Sequence, residues 1–112
     1  MNFKELIVWQ KARELAVSIY KLCESLPQAE KFGLSSQIQR AGVSIPSNIA
    51  EGYRRNNPKE YKQFLGVALG SAAEVETQLI LLLDIYNKDT TDLQDKCIEI
   101  QKMLSTMIRK LS

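Results

Sequence analysis

The chain contains no histidine. That one absence removes imidazole acid–base catalysis, imidazole metal ligation and every Ser-His triad. It also removes the Glu-x-x-His pair on which di-iron helical bundles depend. Cysteine occurs twice, at Cys23 and Cys97, too few for a structural zinc site. Both fall on apolar stripes, which reads as buried thiols acting as small hydrophobes rather than as a disulfide. The five glycines are scattered through helical patterns, so no phosphate-cradling loop is present. Long apolar runs are missing too: Leu79 to Leu83 ends at Asp84, far short of a bilayer span. No basic-then-apolar secretory pattern opens the sequence. The expectation is therefore a cytoplasmic protein with no cofactor, no metal and no membrane partner. Glu51, Glu74 and Glu76 supply carboxylates without a metal motif, which argues against an enzyme.

What remains is helix. With 112 residues, 45% hydrophobic and 25% charged, the chain suits one globular domain over residues 1–112. Val8, Ala12, Leu15, Ile19, Leu22 and Leu26 alternate steps of four and three and predict a first helix over Glu5 to Ser25, stopped by Pro27. Asn57-Pro58-Lys59-Glu60 is a helix start, with Asn57 capping, Pro58 in the first turn and Glu60 closing a capping box. The third helix follows on Tyr61, Leu65, Ala68, Ala72, Val75, Leu79, Leu82 and Tyr86, the period of left-handed bundle packing. A second stripe, Leu69, Ala73, Ile80 and Leu83, predicts that this helix is covered on more than one side. Gly66 and Gly70, each costly in a helix, predict a neighbouring backbone close by. Thr91 with Gln94 reads as a capping box opening a fourth helix on Leu93, Cys97, Ile100, Leu104, Met107 and Leu111. Four helices with short links predict an all-α, up-down-up-down four-helix bundle.

The second helix is the unusual one. Leu34, Ile38, Ala41, Ile45 and Ile49 give it an apolar stripe, and Gln37, Arg40, Ser44, Asn48 and Glu51 a polar one. Surface helices favour long Lys and Glu there; amides and hydroxyls are weaker helix formers suited to short-range hydrogen bonds. The stripe reads as pairing with another helix or subunit, with solvated decoration as the alternative. Ser71, Glu74 and Gln78 on the third helix would answer it, with Arg40 and Glu74 as the charged pair. Pro46 predicts a kink, with Gly42 leaving room for the distortion. Because the apolar phase continues through Pro46, one kinked helix is expected rather than two.

The net charge of +2 is unevenly spread: residues 1–63 carry ten basic and six acidic side chains, residues 64–112 five and seven. Arg54, Arg55, Lys59 and Lys62 form a cluster that either meets phosphate, as RNA or DNA, or is a solvated turn.

Beyond periodicity, particular residues point to a family. Leu6-x-Val8-Trp9-Gln10-Lys11-Ala12, then Gln37-x-x-Arg40-Ala41-x-x-Ser44-Ile45-Pro46-Ser47-Asn48-Ile49-Ala50-Glu51-Gly52, then Phe64-Leu65 with Ala68-x-Gly70-Ser71 and Glu74, span Phe3 to about Tyr86. They resemble a bacterial family of four-helix-bundle proteins whose best-known members are encoded in intervening sequences of large-subunit ribosomal RNA genes, and which are often labelled ribosomal proteins. The resemblance implies a ring-like homopentamer. A related branch, the accessory variability determinants of diversity-generating retroelements, implies association with a reverse transcriptase and nucleic acid. That branch is basic, whereas this chain is only mildly so. Two functions follow as expectations: a non-enzymatic, homo-oligomeric adaptor for nucleic acid or ribonucleoprotein, or a protein-binding scaffold with no direct nucleic-acid role.

Overall fold

The computed structural model describes residues 1–112 and contains four α-helices and no strand: α1 (Ile7–Cys23), α2 (Leu34–Arg54), α3 (Pro58–Tyr86) and α4 (Thr91–Lys110). Short 3₁₀ turns, Phe3–Glu5 and Gln28–Glu30, precede α1 and α2. Helices consecutive in the chain pack side by side and α1 closes the circle against α4, while the backbones of the diagonal pairs stay more than 8 Å apart, Cα to Cα. The result is an up-down-up-down bundle measuring 43 × 20 × 20 Å. Both chain termini lie at the same end as the α2–α3 turn, because an even number of antiparallel passes returns the chain to its start.

The core is the union of the predicted stripes. Val8, Ala12, Leu15 and Ile19 meet Ile38, Ala41, Ile45 and Ile49; opposite them lie Leu65, Ala68, Ala72, Val75, Leu79 and Leu82, with Cys97, Ile100 and Leu104 completing the layers. Leu22, Leu26, Leu34, Tyr61, Leu93, Met107 and Leu111 sit at bundle ends and are half-buried. Cys97 is fully buried and its thiol donates to the Ala72 carbonyl oxygen at 3.0 Å. Cys23 is half-buried, and both cysteines are free thiols.

Several local expectations shift. The turn before α1 is closed by a capping box: Asn2 Oδ1 accepts from the Lys4 amide at 2.9 Å while Glu5 accepts from the Asn2 amide at 3.2 Å. Asn57 caps α3 as expected, its Oδ1 accepting from the Glu60 amide at 3.1 Å. The Glu60 carboxylate does not return to Asn57; it lies 3.8 Å from Arg55 instead. Thr91 is the first residue of α4 and forms no capping box with Gln94; Thr90 precedes the helix without a side-chain cap, and the Thr91 amide donates to Asp89 Oδ1 at 3.1 Å. Buried Thr90 donates its hydroxyl to the Leu79 carbonyl at 2.7 Å and accepts from Gln94 Nε2 at 3.0 Å. That bond ties α4 to α3, a tertiary contact that chain-local capping rules do not contain.

Helix α2 runs unbroken from Leu34 to Arg54 with Pro46 inside it. Gly42 also shapes the contact with a neighbouring helix. It is buried, and a Cβ there would lie 2.8 Å from Ile19 Cδ1 and 3.8 Å from Ala16 Cα, so its bareness lets α1 approach. Gly52 lies within α2, where a Cβ would lie 2.6 Å from Phe64 Cβ. Gly66 and Gly70 reverse the expectation altogether. A Cβ at either would meet nothing within 4 Å, because both line an open groove between α3 and α4. Of the second stripe, Ala73 and Ile80 are exposed, whereas Leu69 packs against the core and Leu83 is half-buried, so within one chain that side of α3 is covered only in part.

Candidate functional site

The antiparallel register of α2 and α3 organises the polar seam. Ser44 Oγ lies 2.8 Å from Ser71 Oγ, and Asn48 Nδ2 donates to Ser44 Oγ at 2.9 Å and to the Ser44 carbonyl at 2.8 Å. The Ser44 hydroxyl thus accepts from Asn48 and shares a bond with Ser71 in which either oxygen can donate, linking the three side chains. Ser71 is buried; Ser44 and Asn48 are half-buried. These bonds form within one chain, so the seam does not by itself require a second subunit.

The remaining seam residues are not joined to this chain of bonds. In the register set by Ser44 and Ser71, Arg40 is level with Val75, one residue from Glu74, yet the two make no ion pair. Both are exposed, where such a pair gains little over two hydrated charges. Glu51 turns one helical turn onward and accepts from Arg55 Nη2 at 3.1 Å. Gln37 is exposed, level with Gln78 across the helices. Gln78 is 8% exposed, and its Oε1 is buried with no hydrogen-bond partner.

The basic cluster sits at the end holding the α2–α3 turn. Arg55 is occupied, bridging Glu51 at 3.1 Å and Glu60 at 3.8 Å, with its guanidinium 5.1 Å from the Phe64 ring centroid. Arg54 is free of carboxylates and stacks 5.5 Å from the Phe3 ring centroid. Lys59 and Lys62 are exposed and unpaired. The fold adds cations that sequence proximity hid: Lys4 near the N-terminus and Arg109 and Lys110 near the C-terminus come to the same end. Residues 1–14, 45–72 and 101–112, the half containing that end, carry ten Lys or Arg against four Asp or Glu. The opposite half, residues 15–44 and 73–100, carries five against nine. A net charge of +2 therefore conceals a bundle polarised along its long axis. The signal was available: four antiparallel helices oblige both termini to join the α2–α3 turn.

At the centre of the basic end is an open cleft of about 510 Å³ lined by Tyr53, Arg54, Asn56, Asn57, Tyr61 and Leu111, among others. Tyr53 and Tyr61 meet edge-to-face with centroids 6.0 Å apart. Burial, and to a lesser degree Tyr53, pushes the Tyr61 hydroxyl above its ordinary range. Asn56 holds a left-handed backbone conformation, φ 54°, at the turn between helices.

The other end is tied down differently. The Tyr86 hydroxyl donates to the Glu30 carboxylate, which also accepts from the Leu34 amide at 3.1 Å. These bonds, Tyr86 first, lower the Glu30 carboxyl below its usual value. Burial pushes the Cys97 thiol up to about 11, against a smaller opposing effect from Gln101. No group of three or more His, Cys, Asp or Glu side chains is placed to hold a metal ion.

The architecture has a close counterpart. The chain is similar to a protein of unknown function from the S23 ribosomal protein family of Bacteroides thetaiotaomicron VPI-5482, whose crystal structure matches with a TM-score of 0.82 and 31% identity, over 91% of this chain and 98% of that one. No curated protein matches the chain. Residues 4–106 match the family described as 23S rRNA-intervening sequence protein. With the match covering nearly the whole bundle, the chain belongs to the 23S rRNA-intervening sequence protein family.

Proposed function

We propose that this protein is a non-enzymatic homo-oligomer acting in the bacterial cytoplasm as an adaptor associated with nucleic acid or ribonucleoprotein. The observation that carries the reading is the longitudinal charge separation, which gathers Arg54, Lys59 and Lys62 with both chain termini at one end. Clustered cations of this kind supply the sequence-independent part of nucleic-acid affinity. The mild overall charge keeps one copy weak, and repetition of the basic end in an oligomer multiplies it through effective concentration.

Self-association has its own support on α3. Eight of its residues between Gly66 and Leu81 are exposed: Gly66, Val67, Gly70, Ala73, Glu74, Thr77, Ile80 and Leu81, of which Glu74 alone is charged. A solvated helix face normally alternates charges of both signs. The family resemblance implies five protomers. The same face supports a second reading, a scaffold for a protein such as a reverse transcriptase with no direct nucleic-acid contact.

Charge reversal separates the two. Because Arg55 is held by Glu51 and Glu60, the informative variant is Arg54→Glu, Lys59→Glu and Lys62→Glu together. Its RNA affinity at low salt is expected to fall by at least tenfold, with a shallower dependence on salt and an unchanged oligomeric mass. Unchanged affinity and salt slope contradict the adaptor. Negligible binding of the unaltered protein to RNA and DNA, with one protein partner retained in a pull-down, favours the scaffold.

A further inference from the structure

The basic end holds more than charge. Its cleft presents two aromatic rings, Tyr53 and Tyr61, set nearly perpendicular, with neither hydroxyl bonded to another protein group. Arg54 also lines the cleft, its guanidinium 5.5 Å from the Phe3 ring centroid and engaged by no carboxylate. The Asn56 side-chain amide, on a residue held at φ 54°, makes no hydrogen bond within the protein. Asn57 is already committed to capping α3. Flat apolar surface, a cation, an uncommitted amide and free phenolic hydroxyls together match one kind of ligand: a planar heterocycle with hydrogen-bonding edges and an anionic tether.

From this arrangement we infer that the cleft at the α2–α3 turn receives an unpaired nucleobase, so that the basic end takes single-stranded rather than duplex nucleic acid. A base drawn out of its strand stacks on an aromatic ring or an Arg plane and exposes its edges to amides. In a duplex both faces are covered by neighbouring pairs and the Watson–Crick edge is occupied, leaving nothing for the cleft to read. Lys59 and Lys62, a turn away on α3, are left to hold flanking phosphates. The inference rests on the adaptor reading and adds to it the form of the nucleic acid and the residues that receive it.

The test uses the full chain and three probes of equal length: an oligouridine RNA, an oligothymidine DNA and a blunt RNA duplex. Single strands are expected to bind at least tenfold more tightly than the duplex. Equal binding of the RNA and DNA strands still supports the cleft and assigns its specificity to the base rather than the sugar; preference for RNA assigns part of it to the 2′-hydroxyl. Tyr61→Leu and Tyr53→Leu, which keep apolar bulk while removing the ring, are each expected to lose about tenfold on single strands with the salt slope unchanged. Tyr61→Phe, which keeps the ring, is expected to stay within about threefold of the parent. Equal affinity for duplex and single strands, or leucine variants that bind like the parent, overturns the inference while leaving the adaptor standing. No binding of any probe at low salt removes both. Circular dichroism of each leucine variant confirms that a loss of binding is not a loss of fold.

Discussion

Ser44 on α2 and Ser71 on α3 share a hydrogen bond of 2.8 Å, and Asn48 feeds the same hydroxyl from one turn further along. This bond fixes the register of the most extensively packed helix pair. It also explains why small hydroxyl and amide side chains occupy a face where Lys or Glu would be better helix formers.

Removing either hydroxyl strands its partner. Ser44→Ala and Ser71→Ala are each expected to destabilise the fold by about 1–2 kcal/mol, since a part-buried donor or acceptor is left unpaired. The double variant is expected to cost less than the sum of the two, with a coupling of about 0.5–1.5 kcal/mol. Urea denaturation of the four proteins reads this directly, and strict additivity contradicts a shared bond.

Gln78 makes the opposite case. Its Oε1 is buried without a partner, so replacing the amide with an apolar side chain of similar size removes an unmet desolvation cost. Gln78→Leu is expected to raise stability by about 1 kcal/mol. A decrease in the denaturation midpoint would show that Gln78 is satisfied in solution, through bound water or a second subunit.

The glycines divide by what surrounds them. In the isolated chain, Gly66→Ala and Gly70→Ala are each expected to stabilise the fold by up to about 1 kcal/mol, because a methyl group there meets no other atom of that chain and alanine is the better helix former; packing of this face on a second copy is expected to reverse that gain. Gly52→Ala is expected to destabilise by about 1–3 kcal/mol despite the same propensity gain, since its methyl would lie against Phe64 Cβ. Thermal melts of the three single variants as isolated chains should separate them in sign.

Alkaline pH supplies a further test. The buried Cys97 thiol is raised from its ordinary value of 9.0 to about 11. In the unfolded chain the thiol loses its proton near 9, while in the fold it keeps it until about 11. Stability from this group is therefore intact below 9 and falls as pH rises through that window. Tyr86, raised by its bond to Glu30, and Tyr61, raised by burial, act in the same direction. Cys97→Ala is expected to flatten the decline, measured by chemical denaturation on either side of the window. An identical decline in that variant contradicts the assignment.

Periodicity made the bundle legible because every core position is a local repeat: Leu15, Ile45, Val75 and Ile100 announce themselves at helical spacing. Contacts set by the assembled helices were not. Thr90 spends its hydroxyl on the Leu79 carbonyl of another helix, and the Thr91 amide turns to Asp89 instead. Gly42 and Gly52 make way for side chains from other helices, while Gly66 and Gly70 make way for nothing in the chain. For the candidate site, Arg54, Lys59 and Lys62 were visible as a run of charge. The diversion of Arg55 to Glu51 and Glu60, and the arrival of Lys4, Arg109 and Lys110, depend on which ends the fold brings together.

The proposed function has the weak basic end and the uncovered face of α3 act through several copies of the chain. Multi-angle light scattering on the purified 12.7 kDa chain, followed across a dilution series, tests this most directly. The account predicts a mass several times that of the chain, about 64 kDa for five copies, persisting at low micromolar concentration. A mass of 12.7 kDa at every concentration would contradict it.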